Sequence, residues 1–529
     1  IIYDKQNDTY MACIPEDAFG KDYEAIILLD IASDWSDLSI DGTQIAYSYT
    51  FKQVEGNKLY SIHARKGNKE INTKITFTFL PLLVLQGSFG YDYAQGSMSL
   101  YSPDATEPTI SLIKAKWRGG TTNTADKHKR NYKIKPLNFK GKGQDISLLG
   151  MREDNNWILD AGQIDLFRLR NRIATEIWND FATKPYYASK EPKTKSGVAG
   201  KVVEVILNNE YRGIYSLTEA MDRKELKLKK YDDKNQEFHG HLWKVSSWDK
   251  AQFWEIDKDY DNTQETWHAF ETKYPDIEDV NPTDYSPLYE AIDFVVNSND
   301  ETFKKEVGDY FDIPVLIDYQ LFLETLKPVD NNGKNMYWGI YDVAKSKKLT
   351  LAIWDLDASV GQDWHCSTPL HPDYVLPNTD LGVKDGFNLY HRLSSLNVDN
   401  YNGKVASRYQ KLRKTYFSEE NLISRYQGYY DMLVKSGAAS REECKWSKDS
   451  DIGGYPLNFK SEIEYIKNWI INRLSYLDSN QFPVSTNISE IHQKESLSTK
   501  TTYNMLGQKV GASYQGLKIK NGKKFYTTK

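Results

Sequence analysis

The longest apolar run near the N-terminus, Phe79-Leu-Pro-Leu-Leu-Val-Leu-Gln86, falls far short of the about 18 residues a membrane-spanning helix needs, and Pro81 sits inside it. A chain without a long apolar segment must assemble its core from many short elements, each burying one face. The run 79–86 itself reads as a buried strand. Hydrophobic residues make up 40% of the 529, enough for a sizeable core, and at about 150 residues per domain the length suggests roughly three domains. Disorder throughout, a collagen-like chain and a disulfide scaffold are excluded. The formal charge of −5 argues against an electrostatic nucleic-acid binder, which needs a basic excess on one face. Cys13, Cys366 and Cys444 show no paired spacing, so they do not decide the redox compartment. The 37 tyrosines and 13 tryptophans fit a strand-rich core with a Tyr-rich surface, or exposed rings suited to sugar contact.

Patterning divides the chain in three. Residues 1–105 carry short alternating or apolar runs: Ala25–Asp30, Gln44–Phe51, Lys58–His63 and Thr73–Phe79. Gly and Asp turns separate them, the signature of an Ig-like β-sandwich, and 87–103 reads as a Gly/Ser/Tyr-rich linker. Residues 106–484 place strands first and helices after, which predicts an α+β domain. Within it, Leu166, Leu169, Ile173, Ile177 and Phe181 share a 3.6-residue face, with Asp165 as N-cap. Val202–Thr218 reads as a hairpin turning at Asn208-Asn209-Glu210. The acidic stretch 249–302 reads as an insertion or helical cap, and Ile313–Leu326 as a buried helix. Met336–Tyr341 and Leu349–Trp354 read as paired strands, and Asn421–Lys435 and Ser461–Leu477 as helices. Residues 485–529 form a small β appendage with a hairpin at Asn521-Gly522.

The chemistry concentrates in two strings, Lys327-Pro-Val-Asp-Asn-Asn-Gly-Lys-Asn335 and Ile353-Trp-Asp-Leu-Asp357. Asp330 and Asn335 stand five residues apart, and Asp355 and Asp357 end an apolar strand whose period of two puts both carboxylates on one side. Such oxygen donors suit Mg²⁺, which takes one or two carboxylates together with substrate phosphates. Protein kinases order their site this way, with a loop Asp, an Asn five residues on, and a hairpin leading to a metal-holding Asp. A phosphate cradle is suggested by Arg118-Gly-Gly-Thr-Thr-Asn123 before the basic run Lys127–Lys135. Glu219 and Lys244 are placed to form an ion pair that positions a phosphate-binding lysine, or a bland surface pair. His365, Cys366 and His371 lack the further ligand pair a zinc site requires.

Taken in order, these segments resemble the CotH family of spore-coat-type atypical secreted protein kinases, over about 106–480. The resemblance rests on Arg118–Thr122 with Tyr132–Lys135, on Asp165–Asn171, and above all on Asn208-Asn-Glu-Tyr-Arg-Gly-Ile-Tyr-Ser-Leu-Thr-Glu219. It continues through Leu242–Lys244, Asp330–Asn335, Trp354–Gly361 and Arg473–Asp478. The chain departs at Gly120, where the family often has Asn, and at Pro328-Val329, where an Asn usually stands two residues before the loop Asp. The resemblance implies Mg·ATP-dependent phosphoryl transfer to Ser/Thr of a surface or secreted protein. It makes Asp330 the residue that orients the acceptor hydroxyl or takes its proton. It gives Asn335 and Asp355 to Mg²⁺, with Asp357 beside them. It assigns Arg118 and either Lys129 or Lys133 to the ATP phosphates, with Glu219 as the orienting carboxylate.

The tail Tyr503–Val510 with Gly516–Lys524 resembles C-terminal β modules of exported Bacteroidetes proteins, which implies an extracellular or cell-envelope location. The chain begins at Ile1 without a basic-then-apolar leader, so it reads as a mature or trimmed form. The competing reading is a non-catalytic surface scaffold with a kinase-like domain, whose N-terminal module contacts glycan. Asp330, Asn335, Asp355 and Asp357 standing together favour the enzyme.

Overall fold

Alternation along the strands closes a barrel. The computed structural model describes residues 1–26, 36–45, 48–363 and 382–483, with the backbone of four further strands between 502 and 527. The chain forms two units, Ile1–Leu477 and Asp478–Lys529. In the first, seven strands form a closed barrel in the order Ala94–Tyr101, Thr109–Arg118, Asn131–Leu137, Trp157–Asp160, Glu210–Glu219, Gly200–Leu207 and Leu82–Gln86. Every second residue points inward: Leu83 and Leu85, Met98 and Leu100, Ile113 and Ala115, Tyr132 and Ile134, Trp157 and Leu159, Val203 and Val205, Tyr215 and Leu217 fill it. The outward residues alternate with them, so the outer face of Thr109–Arg118 and Asn131–Leu137 presents Lys114, Lys116, Arg118, Lys133 and Lys135.

The buried run near residue 80 is a barrel strand. Leu82–Gln86 pairs in parallel with Gly200–Leu207 and closes the barrel. The linker expected at 87–103 instead contains the Ala94–Tyr101 strand, so the barrel takes two strands from the stretch expected to be an N-terminal sandwich. What precedes them is a six-stranded sheet with a separate two-stranded ribbon, Tyr23–Ile26 and Ser48–Phe51. Phe51 of the ribbon meets Phe77 and Tyr60 of the sheet edge-on, with centroids 4.8 and 4.9 Å away. This layer is stitched to the rest. Ile2 and Met11 pack on Leu82, Val84, Ile206 and Tyr211 outside the barrel. Arg441 donates to the carbonyl of Gly56 at 2.6 Å and to the fully buried Glu204. Gly437 adopts φ 76°, and a Cβ there would lie 2.0 Å from the Gly56 carbonyl oxygen.

A second, five-stranded antiparallel sheet runs Thr266–Trp267, Phe270–Tyr274, His241–Val245, Met336–Asp342 and Ser346–Ile353. The expected pair of strands after residue 335 is therefore present, and the acidic stretch 249–302 supplies two strands at the sheet edge and the helix Ser286–Asn297. The buried helix spans Ile313–Leu326 as its composition predicts, and Glu419–Lys435 and Phe459–Tyr476 are helices. The Val202–Thr218 hairpin turns at Asn208 and Asn209, both at positive φ (53° and 62°), the pairing a two-residue primed turn requires. One helix starts later than its apolar period suggests, at Arg170 and not Leu166. Asp165 still serves its start, accepting from the Arg170 amide at 2.6 Å and pairing with the Arg170 guanidinium. Many tyrosines sit in the core, Tyr215, Tyr285, Tyr319, Tyr390 and Tyr401 among them. In the C-terminal unit, Gly516–Lys520 and Lys523–Thr527 pair with Lys520 opposite Lys523, flanking the predicted turn. Among the described residues, no helix is long and apolar enough to cross a membrane.

Because two barrel strands lie before residue 105 and five after it, a fragment 1–105 carries two strands torn from the barrel. Such a fragment is expected to be protease-sensitive and to lack a cooperative thermal transition, whereas 1–483 should show one. A cooperative 1–105 fragment would contradict this account of the barrel.

Candidate active site

The helix Ile313–Leu326 ends because Lys327 turns left-handed (φ 50°) and Pro328 cannot continue it. The loop that follows is fixed by Asn331, which is buried. Its amide donates to the Asn335 carbonyl at 3.1 Å and to the Trp354 carbonyl at 2.7 Å, while Tyr319 donates its hydroxyl proton to the Asn331 carbonyl. The Val329 amide donates to the Ala358 carbonyl at 3.0 Å. The Asp330 loop and the Trp354–Asp357 segment are thus tied together along their length. Asp330 itself accepts from Lys334 Nζ at 2.9 Å and Asn335 Nδ2 at 2.7 Å. Burial pushes its carboxyl above the ordinary Asp range, against the pull of Lys334.

Asp355 and Asp357 come together by a different route from the one their spacing suggests. The strand stops at Ile353, and Asp355 takes φ 58°, a left-handed conformation uncommon for a residue with a side chain. A turn, not the pleat of a strand, brings the two carboxylates into the cleft. Asp355 keeps one side open to water yet lies deep among protein atoms, and desolvation raises its carboxyl while Arg118 and Lys244 pull it down. Asp357 is driven up harder, by desolvation and then by Asp355, Asp160, Asp165 and Asp330.

Opposite these carboxylates stands a basic wall. The Arg118 guanidinium lies 5.3 Å from the centre of the Trp354 ring. Lys133 is pushed down to about 8 by burial and by Lys135, Lys273, Arg118 and Lys116. Burial, with Arg118 and Lys334, lowers Lys244, which Asp355 offsets. After Arg118 the chain turns through Gly119 at φ 119°, where a Cβ would meet Thr122 Oγ1 at 1.9 Å. A polar cavity of about 30 Å³ opens behind Asp355, bordered by Arg118, Asp160, Asn171, Arg172 and Ser216. That is room for about one water or ion.

Arg118, Lys244 and Asp330 therefore act on Asp355, with Lys133 beside Arg118, Asn335 bonded to Asp330 and Asp357 next to Asp355. Lys129 does not join them. It precedes the first residue of its strand, so the alternation that turns Lys133 toward the cleft does not reach it. It is buried against Glu442 at 2.7 Å and the Ile214 carbonyl at 2.7 Å, with Arg168 on the same carboxylate. Of the two lysines left open by sequence, Lys133 is the one that stands near Arg118. Glu219 is also turned away: its buried carboxylate accepts from the Arg152 amide at 2.9 Å and the Ala199 amide at 3.2 Å. Among the described residues it forms no ion pair with Lys244. His365, Cys366 and His371 lie outside the described residues.

Three residues were missed. Asn171 donates to Asp160 at 2.7 Å and accepts from the Leu356 amide at 3.1 Å, so it bridges the barrel to the Asp355–Asp357 turn. The Arg170-Asn171 pair at a helix start was the available signal. Asp160 ends the alternating strand Trp157–Asp160, and its own carboxyl is raised by burial despite Asn171 and the Gly162 amide. Lys273 joins the basic wall from the strand Phe270–Tyr274, within a stretch whose acidity hid it.

The donor set suits a hard divalent cation. Carboxylates raised by desolvation and by one another are what such an ion neutralises, and Mg²⁺ needs only one or two of them. Among the described residues, the grouping of three acid or imidazole donors within 4.8 Å is His128, Asp449 and Asp451, not the cleft.

The α+β domain thus sets a group of cations close to Asp330, Asp355 and Asp357, and its class is that of the kinase-like domains. The chain belongs to the CotH kinase protein family, whose model matches residues 115–477. No curated protein matches the chain.

A raised folded-state carboxyl favours folding below the ordinary Asp value, and that contribution is lost as pH rises through the raised value. Ionised Asp357 therefore costs the metal-free fold stability at neutral pH. Asp357→Asn is expected to unfold at a higher temperature than wild type in EDTA at pH 7.5, with the difference closing as pH falls toward 4. Equal midpoints at both pH values would show that the carboxylates do not burden the fold.

Proposed function

We propose that this chain is a Mg·ATP-dependent phosphotransferase of the CotH type, which moves the γ-phosphoryl group to a Ser or Thr hydroxyl of a surface or secreted protein. The observation that carries the reading is the stitching of the Asp330 loop to the Asp355–Asp357 turn through Asn331, directly across from Arg118 and Lys244. Asp330 accepts a hydrogen bond from the acceptor hydroxyl and takes its proton as the oxygen bonds to the γ-phosphorus and ADP leaves. A carboxyl raised by burial suits that task, because a base works best with its proton affinity near the operating pH. Lys334 and Asn335 hold Asp330 in one orientation. Arg118, Lys133 and Lys244 bind and align the phosphate oxygens, for which a rigid guanidinium and half-buried ammonium groups are suited. Asp355 and Asp357, with Asn335, would hold Mg²⁺, which when bound neutralises charge on the transferred phosphate. Asn171 and Asn331 keep the Asp355–Asp357 turn in place against the strain at Asp355.

Thermal unfolding of the full chain with and without Mg·ATP tests this. At a hundred times the dissociation constant a bound ligand stabilises the native state by about 2.7 kcal/mol. Wild type is expected to show a magnesium-dependent rise in midpoint that Asp355→Ala abolishes. No rise at millimolar nucleotide would leave the domain as a scaffold.

A further inference from the structure

The cations on the barrel's outer face do not stop at the cleft. In the register of the two strands Thr109–Arg118 and Asn131–Leu137, Lys114 stands opposite Lys135 and Lys116 opposite Lys133. Like charges directly across a strand pair destabilise it. Here two such pairs follow each other on one face, leading away from Arg118. The ammonium groups of Lys114, Lys116 and Lys135 converge on one ring, at 5.1, 5.0 and 5.3 Å from the centre of Tyr93. The Tyr93 hydroxyl is buried and has no hydrogen-bond partner. All four lysines are half-buried. Among the described residues none of them makes an ion pair. The carboxylates whose field reaches Lys135, Glu278 and Asp276, are exposed and form no ion pair with it.

We propose that this face is a docking track for an extended acidic segment of the polypeptide that receives the phosphoryl group. The inference rests on the kinase reading for its substrate and on the ladder for its chemistry. Alternate residues of a strand repeat every roughly 6.7 Å, so the track offers a cation at that interval. An extended peptide with an acidic residue at every second position presents carboxylates at the same interval. The occupant removes the repulsion the ladder carries, and the track leads its neighbouring residues to Arg118 at the mouth of the cleft.

The test uses the full chain without nucleotide, so that it stands apart from catalysis. Three fluorescein-labelled decapeptides, alternating Glu–Ser, Gln–Ser and Lys–Ser, are titrated by fluorescence anisotropy. The Glu–Ser peptide is expected to bind at least ten-fold tighter than the other two. The triple variant Lys114→Gln/Lys116→Gln/Lys135→Gln is expected to lose at least ten-fold in that affinity, to unfold no earlier than wild type, and to keep the Mg·ATP-dependent shift. If the triple variant fails to fold, Lys135→Gln alone is expected to lose at least three-fold. Equal binding of the three peptides overturns the proposal. So does a variant that keeps the Glu–Ser affinity, or one that loses the nucleotide shift while keeping it, since the track would then serve the nucleotide. A failed nucleotide shift with intact, track-dependent peptide binding would count against the kinase reading alone.

Discussion

Carboxyls raised by desolvation, and in part by one another, gather at the centre of this molecule. Asp357 feels desolvation first and then Asp355, Asp160, Asp165 and Asp330. Left alone, such an arrangement relaxes by protonation or by moving apart. Here the backbone forbids the second. Asn331 clamps the Asp330 loop to Trp354, and Asn171 clamps Leu356 to the Asp160 carboxylate. The Val329–Ala358 backbone bond closes the same seam. The rest of the fold can be understood as the frame that keeps these clamps in register.

That frame is built from two sheets of unlike construction. The barrel is filled by its own alternating apolar side chains, and turns cations outward along Thr109–Arg118 and Asn131–Leu137. The second sheet brings Lys244 and Lys273 to the other side and delivers the Trp354–Asp357 turn from its last strand. The helix Ala438–Trp446 backs the barrel through the buried Glu442, which holds Lys129, Arg168 and the Ile214 amide at once. Leaving any of these partners without the carboxylate would strand a buried charge or donor, which costs more than an exposed ion pair is worth. Lys129 is therefore a strut of the fold.

Local signals were legible in the sequence, and long-range closures were not. The Asn208-Asn209 turn, the buried helix Ile313–Leu326 and the hairpin before Trp354 announce themselves through turn chemistry and period, and they place Asp330, Asn335 and Asp355. The parallel pairing of Leu82–Gln86 with Gly200–Leu207 joins segments more than a hundred residues apart, and nothing local in either encodes it. The period-two argument failed at the end of its reach. It was extended to Asp355, which follows its strand, while Lys129, offered by the resemblance, precedes the strand that carries Lys133. The acid-rich composition of 249–302 concealed Lys273, since composition averages over the alternation that sends one side chain to the cleft.

The central claim is that Asp330 and the carboxylates behind it form a phosphoryl-transfer site. Its most direct test is transfer of label from γ-labelled ATP with Mg²⁺ into protein hydroxyl groups, by the full chain, with Asp330→Asn alongside. The account predicts label on Ser or Thr with wild type, and a loss of about 10²–10⁴-fold in rate with Asp330→Asn while the nucleotide still binds. Equal labelling by the two proteins, or no labelling by a wild-type chain that binds Mg·ATP, would contradict it.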